Sequence, residues 1–261
     1  MNYTRYEALL ADAAQRFTAE TTTHTMTVLH DDGLYRHLRF RAADHGFTAW
    51  DLITWPGSLT IQGGHGTYTF SRERDMFGFF RASNGVNVDY WAEKLPGGRD
   101  SVKEYSEEAL LRRLVEMYTE HGRHFDDLQA DYEAAKATWD ATPRERRYPF
   151  DYRGLREPVK PPTVAELRQQ VADARRDGDL SFEDGARRFL SGWNAAEVTS
   201  DSWELDLREY SYHFVWSCHA IRWGIRQYDV AKGVAQAPGE ARPAVAPTAG
   251  VKTLVPAGGV L

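Results

Sequence analysis

A single cysteine, Cys218, stands in the whole chain of 261 residues. It has no partner for an intrachain disulfide, so packing alone must hold the fold, and a reducing cytoplasm suits it. No uninterrupted apolar run reaches the ~18 residues that a membrane-spanning helix needs. The first residues, "MNYTRYEALLADAAQRF", lack the basic-then-apolar order of a secretory signal. These absences lead to the expectation of a cytoplasmic protein with no membrane partner. Basic charge is not in excess either: 32 Lys and Arg stand against 38 Asp and Glu, a formal net charge of −6. That argues against a globally basic nucleic-acid binder and leaves room for a local basic face. The motifs that announce chemistry are missing too. There is no His-Glu-x-x-His pair, no nucleophile elbow and no phosphate loop with its lysine.

What is present is aromatic. Phe, Trp and Tyr make up 13% of the residues and eight are Trp, enough area to build a core without covalent staples. Residues 3 to 18 place Tyr6, Leu9, Leu10, Ala13 and Phe17 on one helical face. The period then changes. "TMTVLH", "LYRHLRFR", "FTAWDLITW", "SLTIQ" and "TYTFS" are short β-rich runs joined by Asp-Gly, Pro-Gly and Gly-Gly signals. They predict an antiparallel meander of about five strands.

Helical spacing returns at "RERDMFGFFR" and "VDYWAEKL". Ser106 reads as an N-cap, with Glu107 and Glu108 in the first turn. The stripe from Leu111 to Trp139 follows as one long helix, or two meeting near Gly122. Residues 140–162 read as an extended connection that wraps over the body. Thr163 and Ser181 read as caps of two further helices. In "YSYHFVWSCHAIRWGIRQY", Phe214, Cys218, Ile221, Ile225 and Tyr228 form one stripe, and Tyr212, Val215, Trp216 and Trp223 add to neighbouring faces. A helix apolar round most of its circumference is a buried one, so this helix should pack on the sheet. The fold class expected is α+β: a β-meander packed on helices, with a long mid-chain helix and an aromatic-rich C-terminal helix. Residues 1–100 would hold the first helix and the meander. Residues 101–230 would be a helical part packed on the sheet in the same cooperative unit, and 231–261 a disordered tail.

The strings "DDGLYRHLRFR", "DLITWPGSLTIQGGHGTYTFSRERDMFGFFR", "VDYWAEKL" and "HFVWSCHAIRWGIRQYD" resemble a family of proteins encoded by bacteriophages and prophages. The resemblance covers the sheet region and the late aromatic helix, and leaves out residues 140–162 and the tail. It implies a phage or prophage origin and action inside the bacterial host, and it implies no reaction. In that family the glycine loop often carries an acid where this chain has Gly64. That departure weakens any reading that needs a carboxylate there.

Each candidate site has a plain alternative. In Gln62-Gly63-Gly64-His65-Gly66, backbone N–H groups could cradle an anion beside a reactive imidazole. A hairpin turn needing positive φ explains the glycines as well, and is favoured because the loop joins two strands. His30-Asp31-Asp32-Gly33 could hold a divalent metal, but Asp-Gly between two β runs is a common hairpin signal. His121 and His124 have a chelating spacing, yet His121 falls in an apolar stripe. His213 and His219 are expected to point to different sides of their helix. Cys218 reads as a packed thiol. No metal and no cofactor are expected.

The strand "LYRHLRFR" is the best ligand candidate. Its alternation sets Tyr35, His37, Arg39 and Arg41 on one face, and a neighbouring antiparallel strand would add Thr48 and Trp50, or Asp51, depending on register. Arg and Tyr on an open sheet suit bases and phosphates, though a solvated face with Arg stems over apolar neighbours is the blander reading. The candidate binding set is therefore Tyr35, His37, Arg39, Arg41, Trp50 and His65. The function expected is non-catalytic binding of a nucleic acid, a nucleotide or a host protein. One alternative is a metal-dependent hydrolase or phosphodiesterase using His30, Asp31, Asp32 and His65, which must then converge. Another is a virion or assembly component.

Overall fold

The computed structural model describes residues 3–43, 48–120, 122–143, 157–195 and 202–234. A first helix, α1 (Tyr3–Glu20), leads into five strands: β1 (His24–Asp32), β2 (Tyr35–Ala42), β3 (Trp50–Trp55), β4 (Ser58–Gly63) and β5 (Gly66–Ser71). They form one antiparallel sheet in the order β1-β2-β3-β4-β5, the meander that the alternating runs predict. Two-residue turns at Gly33-Leu34, Pro56-Gly57 and Gly64-His65 join three of the four pairs. The glycine loop is thus a tight turn. Gly66 carries a φ of +109°, which a side chain would strain. Gly63 lies so near Trp50 that a Cβ would meet the Ala49 carbonyl at 2.5 Å. A bulge between Val28 and His30 interrupts β1, an edge strand, where such irregularity discourages pairing with another chain.

Two short helices follow, α2 (Met76–Ala82) and α3 (Val88–Ala92). Asp75 caps α2 by accepting from the Phe77 N–H at 3.1 Å. The same carboxylate takes two hydrogen bonds from the buried Arg36, at 2.9 and 3.4 Å, and the guanidinium lies 4.6 Å from the Phe77 ring centre. Strand β2 is thereby tied to the start of α2.

The chain then builds a second unit: β6 (Lys103–Tyr105), α4 (Glu107–Glu120), α5 (Gly122–Ala141), α6 (Val164–Arg176), α7 (Glu183–Ala195) and β7 (Arg208–Tyr210), with β6 and β7 paired. Ser106 caps α4, accepting from the Ala109 N–H at 3.1 Å. The mid-chain stripe is helical on both sides of residue 121, in α4 and α5, as expected. Thr163 and Glu166 form a reciprocal capping box on α6. Ser181 does not cap α7: the first helical bond runs from Ala186 N–H to the Phe182 carbonyl, and Ser181 closes a preceding 3-10 turn. Finally α8 (Tyr212–Ala231) is capped by Ser211.

Two hydrophobic clusters result. The larger takes the inner face of the sheet (Leu38, Phe40, Trp50, Leu52, Leu59, Ile61 and Phe70) together with α1, α2, α3 and α8. Every residue of the sequence-predicted stripe on α8 is buried there. The smaller cluster joins Leu110 and Leu114 of α4 to Leu167, Leu180, Ala186, Leu190 and Leu207. Helices α4, α6 and α7 thus share the smaller cluster, while α8, returning from β7, packs on the sheet within the larger one. Residues 144–156 of the connection expected to wrap over the body, the side chains of His121 and His124, and the expected tail from 235 lie outside the described residues.

Candidate binding surface

The outer face of the sheet contributes nothing to either cluster; every sheet residue in the larger core points inward. Tyr35, Arg39, Arg41, Trp55 and Gln62 on that outer face are exposed. Register then decides its composition. Arg39 pairs with Thr27 of β1 and with Asp51 of β3, and Asp51 pairs with Gln62 of β4. His37 lies between His30 and Ile53, and Arg41 beside Thr25. Tyr35 sits opposite Asp32, and Trp55 opposite Ser58. Hydroxyl pairs continue the surface: Thr60 with Thr69 at 2.8 Å and Ser58 with Ser71 at 3.0 Å.

Asp51 organises the centre. Its carboxylate accepts from Arg39 Nε and Nη2, each at 2.9 Å, and lies 2.8 Å from His37 Nε2. The Asp51 side chain is 9% exposed, while Arg39 and His37 are 46% and 32% exposed. Burial pushes the carboxyl up, but the hydrogen bonds from Arg39 and His37 outweigh it and hold the group below its ordinary value. The face is therefore less basic than β2 alone suggests. Asp51 offsets Arg39, and Asp32 lies on the same face as Arg41. A depression of about 470 Å³ opens beside Arg39, Arg41, Asp51 and Gln62.

Tyr35, His37, Arg39 and Arg41 thus share the outer face as the alternation requires. Trp50 does not. It pairs with Phe40, so it points inward, stacked on Phe40 with ring centres 5.1 Å apart. Trp55, five residues further along β3 and exposed, is the tryptophan that this face presents. Alternation within "WDLITW" contained that answer once Asp51 is opposite Arg39.

His65 lies elsewhere. It crowns the β4–β5 turn over the first turn of α8, stacked on Trp216 at 4.0 Å, with its Nδ1 at 2.9 Å from His213 Nδ1. One of these nitrogens donates and the other accepts, so the contact suits one shared proton. Trp216 donates in turn to Glu20 at 2.8 Å. Burial, and then the charge of His213, press the His65 imidazole below its ordinary value, while Glu20 pulls it up. This pair joins residues 148 apart, a distance that no local spacing reveals.

The hydrolase set does not assemble. Asp31 points to the inner side at the far end of α8, where it accepts from Tyr228 at 3.0 Å and pairs with Lys232 at 2.6 Å. His65 sits at His213, some fifteen residues back along that helix, about 22 Å at the usual rise. Asp32 and His30 face outward with Tyr35 and His37. Among the described residues no group of three or more His, Cys, Asp or Glu could hold a metal ion, and no helix is long and apolar enough to cross a membrane.

Compared with protein-family models, curated proteins and solved structures, the chain has no match. Its functional reading rests on the residues themselves.

Proposed function

We propose that the chain is a non-catalytic binding protein that takes a protein partner on the uncovered outer face of its sheet, as an accessory factor of a phage or prophage in the bacterial cytoplasm. The origin rests on the sequence strings above. The observation that carries the binding role is that exposed Tyr35 and Trp55 share one face of the sheet with an arginine already fixed by Asp51, four residues along β2 and β3 from them. Tyr, Trp and Arg are the side chains that dominate protein interfaces. An arginine held in one geometry loses less freedom on contact. Charge favours protein over a nucleic-acid backbone. With Arg39 offset by Asp51, the face has no row of free cations to follow phosphates.

The test places a photo-crosslinking residue at position 35 or 55 of the full chain in bacterial cells. One defined protein should be captured from both positions, not from exposed position 168 on α6. Capture from position 55 should be lost when Tyr35→Ala is combined with Arg39→Glu. Equal capture from position 168 removes the proposal. So does salt-sensitive binding of purified protein to single-stranded oligonucleotides that Arg39→Glu with Arg41→Glu abolishes, because the face would then serve nucleic acid.

A further inference from the structure

Uncompensated positive charge is concentrated away from β2. Between α2 and α8 a concavity of about 240 Å³ is lined by Phe80, Arg81, Arg222, Ile225, Arg226 and Asp229. Three guanidiniums meet one carboxylate there, against the acidic balance of the chain. Arg81 holds Asp229 through Nε at 2.8 Å and Nη2 at 2.5 Å, which cancels one charge. Arg222 gives Nη1 to the carbonyls of Ser83 and Gly85; these contacts orient it, and among the described residues no acid pairs with its charge. Arg226, one turn further on, is exposed and has no ion-pair partner among the described residues. Like charges four apart on a helix oppose its formation, so the pair costs stability, and Asp229, the carboxylate lining the groove, is already taken by Arg81. Phe80 and Ile225 are buried beneath and give the groove an apolar floor, over which charge is screened less than in water.

We propose that this groove binds a phosphoryl group, with Arg222 and Arg226 supplying the two charges that a phosphate dianion needs. Planar N–H forks match phosphate oxygens better than point charges do. The volume is below the ~300 Å³ at which pockets begin to enclose drug-sized molecules, so the groove takes the phosphoryl group and leaves whatever carries it outside. The carrier is either a small free phosphate or the 5′ end of a nucleic-acid strand. The proposal is independent of the sheet face, which shares none of these residues.

The deciding experiment is calorimetric titration of the full chain with inorganic pyrophosphate at low ionic strength. Saturable binding is expected, at least tenfold weaker in Arg226→Gln and unchanged in Arg168→Gln. Arg222→Gln also removes two contacts that hold the segment after α2, so Arg226→Gln, which breaks none, is the variant that counts. Absence of saturable binding overturns the site. Equal binding by wild type and Arg226→Gln also overturns it and marks an adventitious ion only. A 5′-phosphorylated dinucleotide that outbinds its unphosphorylated form assigns the site to strand ends; pyrophosphate binding without that preference assigns it to free phosphates.

Discussion

Replacing Gly224 by alanine measures how closely α8 lies on the sheet. A methyl carbon there would stand 2.8 Å from Leu52 Cδ1 and 2.9 Å from Phe40 Cζ, where carbon atoms in contact prefer about 3.5–4.0 Å. Neither neighbour has room to retreat. Both are fully buried, and the Phe40 ring is held by Trp50 at 5.1 Å and Trp223 at 5.7 Å. Overpacking a tight core costs about 1–3 kcal/mol, whereas alanine gains about 0.8–1.0 kcal/mol over glycine inside a helix. Gly224→Ala should therefore lose about 0–2 kcal/mol. A comparison sharpens the test. Gly78 lies inside α2, on the same core, and a Cβ there meets nothing within 4 Å. Gly78→Ala keeps only the helical gain, so the two variants should differ by the overpacking cost alone, about 1–3 kcal/mol. Urea melts followed by tryptophan fluorescence, with equal slopes, read that difference. In a chain of this size it corresponds to about 2–4 °C in Tm per kcal/mol. Equal stability of the two variants would show that α8 does not approach the sheet as described.

Three further outcomes follow from the same structure. The Asp51 carboxyl titrates below its ordinary value because hydrogen bonds from Arg39 and His37 overcome its burial, so it stabilises the fold above about pH 4 and loses that contribution as pH falls through the folded-state value. Asp51→Asn should be less stable at pH 7 and show a flatter acid limb in urea melts between about pH 5 and 3; an unchanged limb refutes the assignment. His65 is depressed by burial and by His213, and His219 by burial and by Arg222, so the unfolded chain takes up these protons first and stability should fall as pH drops below about 6.5. His65→Gln should reduce that slope, and melts at pH 7.5 and 5.5 decide it. Cys218 is fully buried and its thiol is pushed well above its ordinary value by that burial; it should label with a maleimide at least about a thousandfold more slowly than in urea, given the usual scarcity of the unfolded state.

Much of the architecture was legible because its signals are local. Alternation in "LYRHLRFR" needs only the pleat, and Asp-Gly, Pro-Gly and Gly-Gly mark turns by backbone sterics alone. The apolar circumference of α8 states its burial through composition. Ser181 failed as a cap because a 3-10 turn, one residue out of phase, intervened. Trp50 was misplaced because two registers were open, and a shift of one residue sends every side chain to the other face.

The sequence by itself determined the strands, most of their turns, the caps at Ser106 and Thr163 and the helix that must be buried, since each depends on neighbours a few residues away. Only the tertiary structure decided which charges meet. Asp51 against Arg39, His65 against His213, and Arg81 beside Arg222 and Arg226 are pairings across strands and between distant segments. Electrostatic character belongs to such assembled groups, so the face that looked basic became balanced, and a groove that no motif announces kept the charge.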